Sequence, residues 1–233
     1  MTTRVFVDEQ TPDDQGTRVQ LSAQESHYAL RVRRLQAGAS LIAMDGRSRQ
    51  WAATIVEPSL RNCLISLDKS ISPPTDLPTI SLLVGRPDIP ACLEVITGAC
   101  ELGVQTIGFV DTARSQRQGP SPERVARTIQ AAMRQCGRFT PPDVMRFATL
   151  EESLQFESHL PLLFGDLGTL DATTEATEYA SPPCRVAVGP EGGWSRDERA
   201  LLTTHGATPV RLSPWVLRTP TAALAIVVKS LVF

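Results

Sequence analysis

Along the first seventy residues, short apolar runs alternate with polar positions at a period of two: RVFV (4–7), TRVQL (17–21), SLIAMDG (40–46), QWAATIV (50–56) and CLISLD (63–68). That period turns successive side chains to opposite faces, so each run reads as a half-buried strand. DGRS (45–48) lies between two of the runs as a hairpin turn. Strands this short and closely spaced predict a small β-barrel. One or two helical turns fit at 22–36, with Ser22 as N-cap and Glu25 completing a Ser-x-x-Glu box. SISPPTDLPT (70–79) has no apolar period and reads as a linker, which divides the chain into residues 1–72 and 73–233.

After the linker the rhythm changes. TISLLVG (79–85) is a continuous apolar run, as expected of a strand covered on both faces. Cys92, Val95, Ile96, Ala99 and Cys100 then recur at helical spacing up to Gly103. VQTIGFV (104–110) is the next strand, and SPERVARTIQAAMRQCG (121–137) a helix with Ser121 as N-cap, Pro122 at its first position and Gly137 past its end. Its apolar stripe is Val125, Ile129, Ala132 and Cys136. LPLLFG (160–165), RVAVG (185–189) and TPVRL (208–212) are further buried strands. SRDERALLTTHG (195–206) is a helix with a capping box from Ser195 to Glu198. The last helix takes Thr219 as N-cap and Pro220 as first residue. Strands alternating with helices predict an α/β fold with a parallel sheet.

Composition narrows the function classes. The apolar content of 42% allows a sizeable core, and no apolar run is long enough to cross a bilayer. The N-terminus lacks the basic-then-apolar layout of a secretory signal. Cysteines 63, 92, 100, 136 and 184 are odd in number and form no CxxC, so they read as reduced thiols of a cytoplasmic protein, with Cys100 and Cys136 in the core. Histidines 27, 159 and 205 are far apart, which gives a metal site no local support. The net charge of −2 argues against indiscriminate nucleic-acid binding. The placement of the cations points the other way. Only Lys69 and Lys229 are lysines, and arginines 114, 117, 124, 127, 134 and 138 cluster with a single acid, Glu123. RVRR (31–34) is a second knot of charge. Such patches suit phosphate and RNA.

The candidate chemistry lies in AVGPEGGWSRDER (187–199), where three glycines and a proline separate a buried strand from a helix. Parallel sheets bind ligands at the carboxyl ends of their strands, and glycines let a ligand approach bare backbone. Neither GxGxxG nor GxxxxGK[ST] is present, so nicotinamide and nucleoside triphosphate are poor candidates. LLFGDLG (162–168) and RLSPWVLRTPTA (211–222) are two more strand ends that run into special turns. Three such loops make either one composite pocket or ordinary turns.

The wording of these loops resembles the RsmE family of ribosomal RNA methyltransferases, within the SPOUT superfamily. VGPEGGWSRDER matches that family's IGPEGG-like loop, and RLSPWVLRTPTAALA its LG-x-x-[VI]-L-R-T-E-T-A segment. HYALRVRRLQAGASLIAMDGRSRQWAATIVE (27–57), ACELGV (99–104) and QCGRFTPPDV (135–144) match its other motifs in order, so the similarity spans nearly the whole chain. The resemblance implies a PUA-like β-barrel joined to an α/β domain with a C-terminal trefoil knot, acting as a homodimer. It implies S-adenosylmethionine as cofactor, small-subunit (16S) rRNA as partner and N3 of a uridine as methyl acceptor, with no metal and no membrane.

Carried onto this chain, the resemblance makes Leu163, Gly165, Gly189, Pro190, Glu191, Gly192, Gly193, Leu212, Ser213, Val216, Leu217, Arg218 and Thr219 the cofactor site. Arg218 and Glu191 are the catalytic candidates: the guanidinium either favours a uridinate anion or pairs with Glu191. Arg31, Arg33, Arg34, Arg114, Arg117 and Arg138 are candidates for RNA, with solvated surface as the other reading of 31–34. Trp194 belongs to the pocket or the core. The chain departs from the family pattern at Gly98 (usually lysine), Arg134 (usually an acid), Pro220 (usually glutamate) and VRR for VLR. Those departures keep open a methyltransferase for another RNA site, and a non-catalytic RNA-binding protein.

Overall fold

The computed structural model describes residues 2–8, 11, 16–166 and 180–232. They form two compact units, one of residues 1–76 with 133–141, the other of residues 77–132 with 142–233. The grouping thus departs from a single cut at 72/73, because Met133–Pro141 belong with the first unit.

The first unit contains β1 (Arg4–Phe6), β2 (Arg18–Gln20), α1 (Ala23–His27) running into a π-helical turn at Tyr28–Val32, β3 (Ser40–Met44), β4 (Gln50–Glu57) and β5 (Leu64–Ile71). The strand order is β1-β3-β4-β5-β2, with β1 parallel to β3 and the remaining pairs antiparallel. Register shifts at Ala52/Ala53 and Ile55/Glu57 break the β4–β5 ladder, and irregularities of this kind bend a sheet. Alternate residues Leu41, Ala43, Trp51, Ala53, Ile55, Ile65 and Leu67 are buried in one cluster, as the period-two reading requires. Ser22 caps α1 through the Glu25 amide. Glu25, however, does not close the expected box. One of its oxygens accepts from the Phe6 amide at 3.0 Å and the other pairs with Arg134, whose guanidinium lies over the rings of Tyr28 (4.4 Å) and Phe6 (5.1 Å). The arginine that replaces the family's acid therefore has a structural partner in this chain.

The second unit is a six-stranded, wholly parallel sheet of β6 (Ile80–Gly85), β7 (Thr106–Val110), β8 (Asp143–Phe147), β9 (Leu162–Gly165), β10 (Cys184–Val188) and β11 (Thr208–Val210). The order is β11-β9-β10-β6-β7-β8. Every residue of β6, β7 and β10 is buried, which explains their unbroken apolar runs. The helices are α2 (Ile89–Glu101), α3 (Pro122–Cys136), α4 (Leu150–Gln155), α5 (Arg196–Thr204) and α6 (Thr219–Val232). The buried face of α2 is Cys92, Val95, Ile96, Ala99 and Cys100, as its spacing indicates, and Gly103 ends the segment at φ +81°. Helix α6 packs on α2, β6 and β10. A Cβ added to Gly98 would lie 2.6 Å from both terminal carbons of Leu224, so any larger residue there would require the Leu224 side chain to shift.

Three local readings change. Cys136 is exposed, because the α3 stripe runs only through Val125, Ile129 and Ala132 before the helix ends. Thr219 is the first residue of α6 rather than the one before it, and its hydroxyl donates to the Gly189 carbonyl at 3.4 Å. Strand β8 and helix α4 carry no signal in the apolar pattern: β8 is an edge strand with mixed exposure that follows two prolines.

The β3–β4 turn is held by one carboxylate. Burial pushes the Asp45 carboxyl up, but the amides of Arg49, Ser48 and Arg47 and the Arg49 guanidinium outweigh it and hold it below its ordinary value. These bonds need the ionised form. The stability they supply is therefore complete above the unfolded carboxylate pKa, about 3.9, and is lost as pH falls through the lower folded value. Asp45→Ala is expected to lower the unfolding free energy by about 2 kcal/mol at pH 7. In urea titrations the gap to the parent protein should hold at neutral pH and narrow as pH falls below about 4; a constant gap would contradict this account of the turn.

Candidate active site

Strand order brings the three special loops together. β11, β9 and β10 are adjacent, and all three run in the same direction, so their carboxyl ends share one edge of the sheet. A cleft of about 220 Å³ opens there. Its floor is Gly165, Val188 and Ala222; one wall is Gly189–Gly193, and the other Leu212, Ser213, Val216, Leu217 and Thr219. The reading of these loops as one composite pocket, rather than three unrelated turns, is the one the geometry supports.

Close backbone contact shapes the cleft. At Gly189 a Cβ would lie 3.0–3.1 Å from backbone atoms of Gly193 and Trp194, and Gly193 has φ +65°. Gly85, at the end of β6, was not marked by any motif. A Cβ there would come within 2.8 Å of the Pro190 nitrogen, so the GPEGG loop rests directly on β6. Trp194 serves both of its proposed roles: it is buried, it lines the cleft, and its indole N–H donates to the Gly165 carbonyl at 3.1 Å. On the helix side, Ser195 and Glu198 form the expected capping box at the start of α5. Glu198 also accepts from the Ala113 amide at 2.7 Å, which ties the loop after β7 to the cleft. Arg86, 5% exposed, pairs with Asp111 at 2.8 Å and donates to the Gln116 carbonyl at 2.9 Å, supporting the same loop.

Most of the expected cofactor residues line this cleft, and two do not. Leu163 is buried in the core beneath it. Arg218 points away: its side chain is 77% exposed and its nearest acid is Glu94, at 3.8 Å, not Glu191. Glu191 itself is exposed along the cleft wall. The sequence reading missed Asp166 and Arg199, which line the cleft as an ion pair at 3.2 Å, together with Trp215. Asp166 immediately follows β9, and a carboxylate at a strand end beside a glycine was the signal available. Burial pushes the Cys92 thiol up to about 12, so it is a neutral core group at neutral pH.

The arginines fall into two sets. Arg31, Arg33, Arg34 and Arg138 belong to the first unit, where Arg31 and Arg34 are exposed, Arg33 donates to the Thr3 hydroxyl and Arg138 to the Thr140 carbonyl. Arg114 and Arg117 belong to the second, exposed, with Arg114 donating to the carbonyl of cleft residue Gly192. Among the described residues no cluster of metal-ligating side chains occurs, and no helix is long and apolar enough to cross a membrane.

The glycine-walled cleft lies at the ends of adjacent parallel strands in the second unit, and a small sheet unit precedes it in the chain. The chain belongs to the RNA methyltransferase family: the RNA methyltransferase domain matches residues 75–229, and the RNA methyltransferase PUA domain matches residues 21–68. Among its relatives is the Ribosomal RNA small subunit methyltransferase E of Rickettsia conorii, 25% identical over 85% of this chain and 82% of the relative. The protein of the same name from Mycobacterium tuberculosis is 29% identical over 91% of this chain and 86% of the relative. The fold matches the Neisseria gonorrhoeae Ribosomal RNA small subunit methyltransferase E bound to S-adenosyl methionine, with TM-score 0.82, 23% identity and coverage of 98% and 96% of the two chains. The resemblance seen in the loops is thereby borne out.

Gly85 supplies a test of the cleft's construction. Gly85→Ala must displace Pro190, and an overpacked site of this kind costs about 1–3 kcal/mol. Chemical denaturation should show that loss, whereas an unchanged midpoint would mean that the loop does not rest on β6.

Proposed function

We propose that this chain is an S-adenosylmethionine-dependent methyltransferase that methylates N3 of a uridine in small-subunit (16S) ribosomal RNA. The observation that carries the reading is the cleft where the β9, β10 and β11 loops meet. The names of the curated relatives, and the cofactor bound to the Neisseria gonorrhoeae protein of like fold, support it.

The residues present fit the cofactor. Val188, Leu212 and Ala222 offer apolar surface for a flat heterocycle. The bare backbone at Gly165, Gly189, Gly192 and Gly193 offers amides and carbonyls that a nucleoside edge can satisfy. S-adenosylmethionine, when bound, supplies an electrophilic methyl group on a sulfonium. What remains for the protein is to place the uridine in line with that group, favour its N3-deprotonated form and take the proton. Glu191, exposed on the cleft wall, is the carboxylate assigned to the proton. Arg218, between cleft residues Leu217 and Thr219 and open to incoming RNA, is assigned to the uridinate charge. Arg31, Arg33, Arg34, Arg114, Arg117 and Arg138 are assigned to RNA phosphates.

The wider architecture follows the same reading. The first unit is a PUA-like barrel, α6 returns from the sheet edge across β10 and β6 through a trefoil knot, and the enzyme works as a cytoplasmic homodimer. Three of the four departures from the family pattern have a structural place in this chain. Gly98 fits Leu224, Arg134 pairs with Glu25, and Pro220 stands in the first turn of α6.

Calorimetric titration should show S-adenosylmethionine binding with thermal stabilisation; absence of both would favour a non-catalytic RNA-binding protein. Mapping of rRNA from a strain lacking the gene should show one uridine without its N3 methyl, restored by the purified enzyme. Retention of that methyl would assign the chain to a different RNA site. Arg218→Ala should lower kcat about a hundredfold and leave cofactor affinity within twofold. Equal loss of both would make Arg218 a structural residue.

A further inference from the structure

The loop between β11 and α6 places an aromatic residue on the cleft lining that has been given no role so far. Trp215 is 77% exposed and Val216 81% exposed, and both line the cleft at its open side. The two are adjacent and more exposed than any other large apolar side chain among the described residues, and they form an apolar patch on the lining of a cleft. The loop is also held in place. The Trp215 amide donates to the Ser213 hydroxyl at 3.1 Å. The Arg211 guanidinium donates to the carbonyls of Ser213 (3.3 Å) and Pro214 (3.5 Å), and Pro214 fixes its own φ.

Its surroundings indicate the chemistry of the occupant. Arg211 and Arg218 flank it in sequence and are exposed, and Arg114 is bound to Gly192 on the same cleft. An exposed aromatic among guanidinium groups is the composition that binds an unstacked base together with its phosphates. N3 of uracil lies on the pairing edge, which a stacked and paired nucleotide does not present. A base that is to be modified there must be turned out, and both of its faces then need cover. We propose that Trp215 is the stacking platform for the target uracil, with Val216 packed beside it. This assignment rests on the methyltransferase reading above and names how that site holds its substrate.

Trp51 and Trp194 are buried, so collisional quenching of tryptophan fluorescence by iodide reports Trp215. A synthetic RNA hairpin carrying the mapped uridine should shield Trp215 from iodide, and the same hairpin abasic at that position should not. Equal shielding by both would overturn the proposal, and this arm needs no catalysis. In methylation assays Trp215→Ala should raise KM for the RNA about tenfold, with kcat changed less, and Trp215→Phe should restore most of the loss. The sedimentation coefficient should stay at the parent value. A parent enzyme that methylates uridine while Trp215→Ala keeps the same KM would refute the platform. A sedimentation shift in Trp215→Ala would also refute it, because the indole would then be covered by a second copy of the chain. Failure of the parent enzyme to methylate any uridine would instead count against the functional reading.

Discussion

The cleft depends on one steric constraint: the backbone of residues 189–193 lies so close to the end of β6 that a side chain is excluded at Gly85, and so close to itself that one at Gly189 would crowd Gly193 and Trp194. That proximity sets the loop as a wall instead of a mobile turn. From it follow the placement of Trp194 against the Gly165 carbonyl, the start of α5 at Ser195, and the bond from Thr219 that joins the second wall to the first. Glycine here is a packing requirement as well as a conformational one, since Gly85 and Gly189 carry no positive φ.

The walls and their support differ in chemistry. The walls are backbone and small apolar groups, which suit a neutral, flat ligand edge. The support is ionic: Arg86 with Asp111, Arg199 with Asp166, and Glu198 bridging two loops. Buried or half-buried pairs of this kind fix register more than they add stability. They hold the loop bearing Arg114 and Arg117 beside the cleft, so that the glycine wall and these exposed guanidinium groups form one construction within the second unit.

Much of this was legible in the sequence, and the limits have physical causes. Continuous apolar runs gave β6, β7 and β10, because central strands are buried on both faces. The α2 face was readable residue by residue from its spacing. The edge strand β8 was not, since partial exposure leaves no clean period. Motifs marked the cleft walls, but they could not show that strand order would place β11, β9 and β10 side by side. They also could not show which side chains of the expected set turn away from the cleft lining. Arg218 points outward from a loop whose neighbours point inward, and Leu163 lies one strand position too deep. Gly85 was invisible because its partner, Pro190, is more than a hundred residues away in the chain. Glu25 shows the same limit on a smaller scale: a local capping pattern yielded to an arginine from a distant segment.

The central claim is that the three strand-end loops form a cofactor pocket by backbone contact. A crystal structure of the protein grown with S-adenosylmethionine tests it most directly. The account predicts the nucleoside between residues 189–193 and the 212–219 segment, with its base edge on main-chain groups and its methyl group facing the Trp215 side. Nucleoside density anywhere else, or a 189–193 loop collapsed onto Leu212, would contradict it.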